Sequence, residues 1–184
     1  KAIDAGAKEI VLTGVNIGDY GTQYNTNLLT LIENLDRLQG VERFRISSIE
    51  PNLLSNEIID FVASSDKFMP HFHIPLQSGS DEILRLMRRR YRTSLYRERV
   101  ERILQAMPHA CIGIDVITGF PGETDERFEE TRQFLIDIPA AYLHVFTYSE
   151  RDNTTALRIP DVVPQETRHR RTIELRMLSD KKKR

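Results

Sequence analysis

The sequence predicts an α/β protein: a partial, TIM-like (β/α) barrel with parallel strands, outer helices and its first strand missing. Three observations lead there. Apolar, β-branched runs alternate with helix-period patterns along the 184 residues. The runs are almost continuously apolar, as strands covered on both faces are. Five strands are also too few to close an eight-fold barrel, which takes about 250 residues. A dinucleotide fold would carry G-x-G-x-x-G after its first strand, and TGVNIGDYG does not supply it.

The elements follow in order. Lys1 to Ala5 read as the last turn of a helix closed by Gly6. EIVLTGVN (9–16) is the first strand and GDYGTQYNTN (18–27) a polar loop. In LLTLIENLDRL (28–38), Leu28, Leu31, Ile32, Leu35 and Leu38 share one helical face. RFRISSI (43–49) is the second strand, and Ser55 caps a helix running to about Ala63. HFHIPLQ (71–77) is the third. Ser80 then caps DEILRLMRR, and the next helix holds Val100, Ile103, Leu104 and Met107 in register. ACIGIDVITG (110–119) is the fourth strand. Thr124 caps DERFEETRQFLIDI (125–138), which turns Phe128, Phe134, Leu135 and Ile138 inward. YLHVFTY (142–148) is the fifth strand, and a basic helix from about Gln165 ends the chain.

Composition narrows the function classes. A hydrophobic share of 40% and a charged share of 29% are those of a globular protein. No apolar run approaches the roughly 20 residues that span a bilayer, and the first ten residues lack the apolar stretch of a signal peptide. No membrane partner and a cytoplasmic location are expected. A single cysteine, Cys111, excludes an internal disulfide and any multi-cysteine metal site within these residues; it reads as a small buried apolar residue. The net charge of −1 gives no overall attraction for nucleic acid, but residues 85–102 carry eight arginines against two glutamates, and the chain ends in KKKR.

In parallel α/β architectures the functional rim lies at the carboxyl ends of the strands. That rule selects Gly14 and Asn16, Glu50, Gln77 and Ser78, Gly119 with its following loop, and Tyr148, Ser149 and Arg151. No lysine stands among them, which argues against Schiff-base chemistry. Period-2 alternation puts Asp115, Ile117 and Gly119 on one face of the fourth strand. A carboxylate there needs partners: either a ligand's pair of hydroxyls or neighbouring backbone and arginine. In GFPGE, Pro121-Gly122 suits a type II turn, and Asp125 and Glu126 favour the next helix's positive end. His71 and His73 have an i, i+2 metal-ligand spacing but open their strand, away from the rim, so they read as packed or hydrogen-bonded. His109, His144 and His169 show no pairing. In MRRRYR (87–92) one arginine can turn inward to a ligand carboxylate. The others, with the KKKR tail, form a solvated basic face or lie along an RNA backbone.

Taken in order, TGVNIGDYG, SSIEP, IPLQSGSDEIL, MRRRY, DVITGFPGETDERFEET and HVFTYSERDNTTA resemble the radical S-adenosylmethionine (SAM) methylthiotransferases. The branch most resembled modifies threonylcarbamoyladenosine beside the tRNA anticodon. The likeness covers essentially the whole chain. It implies an enzyme with an amino-terminal domain bearing one 4Fe-4S cluster, a central partial barrel whose C-x-x-x-C-x-x-C loop binds a second, and a small carboxyl-terminal RNA-binding domain. Residues 1–184 would then be a fragment of the central domain, with the cluster loop upstream. The resemblance further implies reductive cleavage of SAM, sulfur insertion and methyl transfer from a second SAM, a tRNA substrate and an electron donor such as flavodoxin or ferredoxin.

By the same resemblance, Gly14 and Asn16 lie near the methionine amino group of SAM and Glu50 bonds that ammonium. Gln77 is a polar contact, and Arg89 takes the methionine carboxylate. Asp115 holds the ribose hydroxyls, Gly119 walls the adenosine, and Tyr148 meets the adenine edge. Arg151 corresponds to an arginine near the substrate. Asn153 replaces the family's usual glycine, and Arg88 stands where many relatives have asparagine, which speaks against the isopentenyladenosine branch. Methylthiolation of a ribosomal protein aspartate or of isopentenyladenosine in tRNA, and a cluster-free barrel acting as a binding scaffold, are the alternatives.

Overall fold

A computed structural model describes residues 4–183. Five strands, β1 (Glu9–Leu12), β2 (Arg43–Ile46), β3 (His71–Gln77), β4 (Cys111–Thr118) and β5 (Tyr142–Thr147), alternate with helices. These are α1 (Leu28–Asp36), α2 (Asn56–Ser64), α3 (Asp81–Leu86), α4 (Thr93–Ala106), α5 (Asp125–Asp137) and α6 (Gln165–Lys182). β1 pairs with β2, and β3, β4 and β5 pair in that order, all in parallel. The bridges Phe44–Phe68 and Ser48–His73 join the two groups into one parallel succession. This is the arrangement expected of part of a (β/α) barrel.

The alternation of side chains divides the sheet into two faces. Phe44, Ile46, Phe72, Ile74, Ile112, Ile114, Val116, Leu143 and Val145 are buried against the helices. Arg45, His71, His73, Asp115, Tyr142 and His144 occupy the other, inner face, half-buried or exposed. Side chains also set the helix starts. Asn27, Ser55 and Thr124 accept hydrogen bonds from Thr30, Ile58 and Arg127 N–H respectively, capping α1, α2 and α5. The Phe120–Glu123 turn closes with Glu123 N–H on Phe120 O at 2.9 Å and Gly122 at φ 84°, the geometry of the expected type II turn.

Several boundaries differ from the sequence reading. The first two strands stop at Leu12 and Ile46, because the chain leaves the sheet to carry Asn16 into a short 3-10 turn, Ile17–Asp19, whose first N–H reaches Ser48 O. α1 ends at Asp36, so Leu38 lies beyond the helix and is 41% exposed. Ser80 occupies the N-cap position of α3 without a capping bond. Cys111 is half-buried on the inner face rather than buried in the core. Lys1–Ile3 of the expected leading helical turn lie outside the described residues; Asp4–Gly6 form a turn.

α6 departs most from expectation. Arg168, Arg171, Thr172, Leu175 and Ser179 are buried along one side. Ser179 Oγ accepts Leu143 N–H at 2.9 Å and donates to Leu143 O at 3.1 Å. Lys182 Nζ donates to Ile136 O and Ile138 O. The basic helix expected from about Gln165 is a covering element of β5. No helix among the described residues is long and apolar enough to cross a membrane.

Candidate functional site

At the carboxyl ends of β3, β4 and β5 lies a cavity of about 540 Å³ lined by Gln77, Asp115, Ile117, Phe146, Tyr148 and Arg151, among others. That volume suits a nucleoside-sized ligand. A larger depression, about 830 Å³, lies along α4 and α5 and is rimmed mainly by acids. It is lined by residues of α4 and α5 with Gly79, and Gln77, Asp115, Tyr148 and Arg151 do not enter it, so the smaller cavity is the candidate site.

Each polar group in the cavity is set by local structure. Gln77 ends β3 at φ 69°, an uncommon conformation for a non-glycine residue, at a register shift between Pro75 and Gln77. Asp115 is the inner-face residue of β4 directly opposite His144 of β5. Tyr148 follows β5; its ring meets Phe120 edge-on at 5.2 Å, and the Arg168 guanidinium lies 5.3 Å from its centre. Tyr148 Oη is buried without a hydrogen-bond partner.

Asp115 is flanked by two imidazoles. His144 Nδ1 lies 3.3 Å from Asp115 Oδ1 and His73 Nε2 2.8 Å from the same oxygen. The second contact is close but poorly aligned, and His73 Nε2 has no directed hydrogen bond. These three side chains bring their donor atoms within 4.8 Å of one another. The sequence reading that left His144 unpaired is therefore corrected. The parallel register of β4 and β5 makes the pairing, and the period-2 stripe Tyr142–His144–Phe146 was the available signal. Below them, His71 Nε2 stands 3.0 Å from Tyr142 Oη. Burial, helped by the Arg45 and His73 charges, pulls the His71 imidazole below its ordinary range. Burial pushes the Tyr142 hydroxyl up.

Arg89 Nη1 donates to Glu50 Oε1 at 3.0 Å; neither residue lines the cavity of Asp115, and Arg89 lines a separate pocket of about 380 Å³ with Asp81, Glu82, Arg85, Tyr91 and Arg92. Arg89 Nε is buried without a partner. Asn16 Nδ2 donates to Asp19 Oδ2 at 2.9 Å, leaving its buried Oδ1 unpartnered. Gly14 and Asn16 stand at the same end of the sheet but do not line the cavity of Asp115.

Gly119 shows a device the sequence did not reveal. Its N–H donates to Glu123 Oε1 at 2.7 Å, and the same oxygen accepts from Arg171 Nη1 of α6 at 2.7 Å. Glu123 and Arg171 side chains are 0% and 4% exposed. Burial raises the Glu123 carboxyl above its ordinary range, outweighing the Gly119 N–H and Arg171, which lower it. Gly119 has φ 76°, and a Cβ there would collide with Arg168. Arg168 itself donates to Val163 O, Tyr148 O and Glu150. Two buried arginines of α6 thus brace the two rim loops flanking Asp115. The signal lay in residues 168, 171, 172, 175 and 179, which repeat at helical spacing, masked by their polarity.

The arrangement fits SAM. A carboxylate and a guanidinium side by side complement an amino acid's ammonium and carboxylate. Both imidazoles contact Oδ1 of Asp115, and its other oxygen accepts no hydrogen bond from the described residues, which suits a diol. An iron–sulfur cluster does not fit the residues present, because cluster ligation takes several thiolates and the chain has one cysteine.

Comparison with known proteins decides the family. Residues 1–135 match the model of the radical SAM superfamily. The chain belongs to that superfamily. This radical SAM chain is 44% identical over 180 residues to threonylcarbamoyladenosine tRNA methylthiotransferase MtaB of Bacillus subtilis (strain 168), covering 97% of the chain and 40% of that protein. It is 38% identical over 178 residues to tRNA-2-methylthio-N(6)-dimethylallyladenosine synthase of Cutibacterium acnes, covering 94% of the chain and 36% of that protein. The chain thus spans about two fifths of the length of these curated relatives. Among solved structures, coproporphyrinogen III oxidase (HemN) of Escherichia coli, a radical SAM enzyme, superposes with a TM-score of 0.72 over 95% of this chain and 40% of that one, at 16% identity. That likeness supports the partial barrel.

Proposed function

We propose that the intact protein is a SAM-dependent methylthiotransferase acting on threonylcarbamoyladenosine beside the anticodon of tRNA, and that residues 1–184 form most of its SAM-binding barrel. The observation that carries the reading is the cavity holding Gln77, Asp115 and Tyr148, at the same end of the sheet as the Glu50–Arg89 pair. Arg89 takes the methionine carboxylate, Glu50 the ammonium and Asp115 the ribose hydroxyls. Gln77 and Asn16 add polar contacts, Gly14 admits the ligand to the backbone, Gly119 walls the adenosine, and Tyr148 offers its unpartnered hydroxyl at the adenine edge. When bound, SAM supplies radical and methyl-transfer chemistry. The ligands of two 4Fe-4S clusters belong to parts of the protein outside residues 1–184. A flavodoxin or ferredoxin supplies electrons, and the setting is the cytoplasm.

The relatives' names support a tRNA substrate, and the 44% match favours threonylcarbamoyladenosine. Isopentenyladenosine in tRNA is the second reading, favoured by the 38% match. Mass spectrometry of tRNA from cells lacking the full gene tests both. Loss of the methylthio group from threonylcarbamoyladenosine alone is expected. Its persistence there refutes the substrate, and loss from isopentenyladenosine instead supports the second reading.

A further inference from the structure

The arginines after α3 are of two kinds. Arg85 clasps Glu82 with two bonds of 2.9 and 2.7 Å, and Arg89 pairs with Glu50. Arg88, Arg90 and Arg92 are exposed, and none has a side-chain hydrogen bond or ion pair among the described residues. Elsewhere arginines such as Arg99, Arg102, Arg127 and Arg132 each meet an acid, so three unpaired guanidiniums in five residues stand apart.

The loop that carries them is held in place. Arg88 N–H donates to Arg85 O at 3.0 Å and Arg89 N–H to Leu84 O at 2.9 Å, with Arg88 in the left-handed region at φ 58°. The buried Tyr91 hydroxyl, 3.0 Å from Pro75 O, anchors the loop to the end of β3. The chain keeps an arginine at a position where glycine would relieve the backbone.

A second exposed segment adjoins this one. The loop between β1 and α1 presents Tyr20 and Tyr24, 44% and 75% exposed. It packs through Gly18, where a Cβ would meet Leu53 at 2.6 Å, onto the turn that begins with Glu50. Glu50 in turn holds Arg89. The tyrosines and the unpaired arginines are therefore the two ends of one arc along the carboxyl ends of β1, β2 and β3, linked through Glu50 and Arg89. Unpaired guanidiniums bind phosphate oxygens bidentately, and exposed aromatic rings stack on unpaired bases.

We propose that this arc holds single-stranded RNA at the mouth of the site, with Arg88, Arg90 and Arg92 on successive phosphates and Tyr24 under a base. The proposal rests on the reading that the substrate is an RNA, and it assigns the surface that receives it.

The test uses the full-length protein and a fluorescent anticodon stem-loop RNA, titrated across a salt series. The triple variant R88Q/R90Q/R92Q is expected to bind more weakly, with the slope of log K against log salt shallower by about 2, since each lost phosphate contact removes about 0.7 for single strands. Tyr24→Ala is expected to lower affinity with the slope intact. SAM binding without RNA should be unchanged in both. A wild-type slope in the triple variant would overturn the arc while leaving the substrate reading standing. No RNA binding by the wild type, or capture of an acidic protein segment in its place, would overturn the substrate reading itself.

Discussion

Glu50 and Arg89 meet at 3.0 Å with 24% and 29% of their side chains exposed, joining the segment after β2 to the loop after α3. Ion pairs this accessible contribute about 0–1 kcal/mol to folding, so stability alone is a weak reason for the pair. In the function proposed above, the pair offers opposite charges side by side to a zwitterion. Arg89→Ala is therefore expected to weaken SAM binding by about tenfold or more in the cluster-loaded protein, while the urea midpoint moves little. Calorimetric titration with SAM and urea unfolding check the two halves. An effect confined to RNA affinity would place Arg89 on the RNA surface instead.

Glu123 and Arg171 present the opposite case. Both are buried, and removing one partner strands the other charge, which costs about 3–5 kcal/mol. Arg171→Met is expected to lose stability in that range by urea unfolding, and Arg171→Met with Glu123→Gln to recover part of it. No recovery in the double variant would show that the cost comes from packing. Because burial raises the folded carboxyl's pKa above 4.5, the contribution of Glu123 is greatest below that pH and declines as pH rises.

His71 gives a pH signature of the other sign. Its folded pKa lies below the ordinary 6.5, so the unfolded chain takes up the proton first. Its contribution is fully present above 6.5 and is lost as pH falls through the lowered folded value. The stability difference between wild type and His71→Phe should shrink between pH 7.5 and pH 5 in urea titrations. A constant difference would mean that His71 titrates alike in both states.

Much of this fold was legible in the sequence because local rules agreed with each other. Ser55 and Thr124 cap where their side chains can reach back to the backbone, and Pro121-Gly122 turns as its dihedral preferences require. Alternation alone put Asp115 on one face of its strand with Ile117 and Gly119. What was not legible depends on distant partners. His144 meets Asp115 only because β4 and β5 align in one register, and Arg168 and Arg171 are buried only because rim carbonyls and Glu123 receive them. In a basic helix with no apolar stripe, the helical spacing of residues 168, 171, 172, 175 and 179 is masked by the polarity of most of them. Leu38 failed for a simpler reason: its helix ends two residues earlier.

The central claim is that Asp115 grips a SAM ribose from the inner face of β4. Its most direct test is the SAM dissociation constant of the full-length, cluster-loaded protein carrying Asp115→Ala. The account predicts weakening by about ten- to a hundredfold, the loss of a charge-assisted hydrogen bond of about 1.5–3 kcal/mol, with the variant still folded. A wild-type dissociation constant in a folded variant would contradict it and leave Asp115 a structural acid held by His73 and His144.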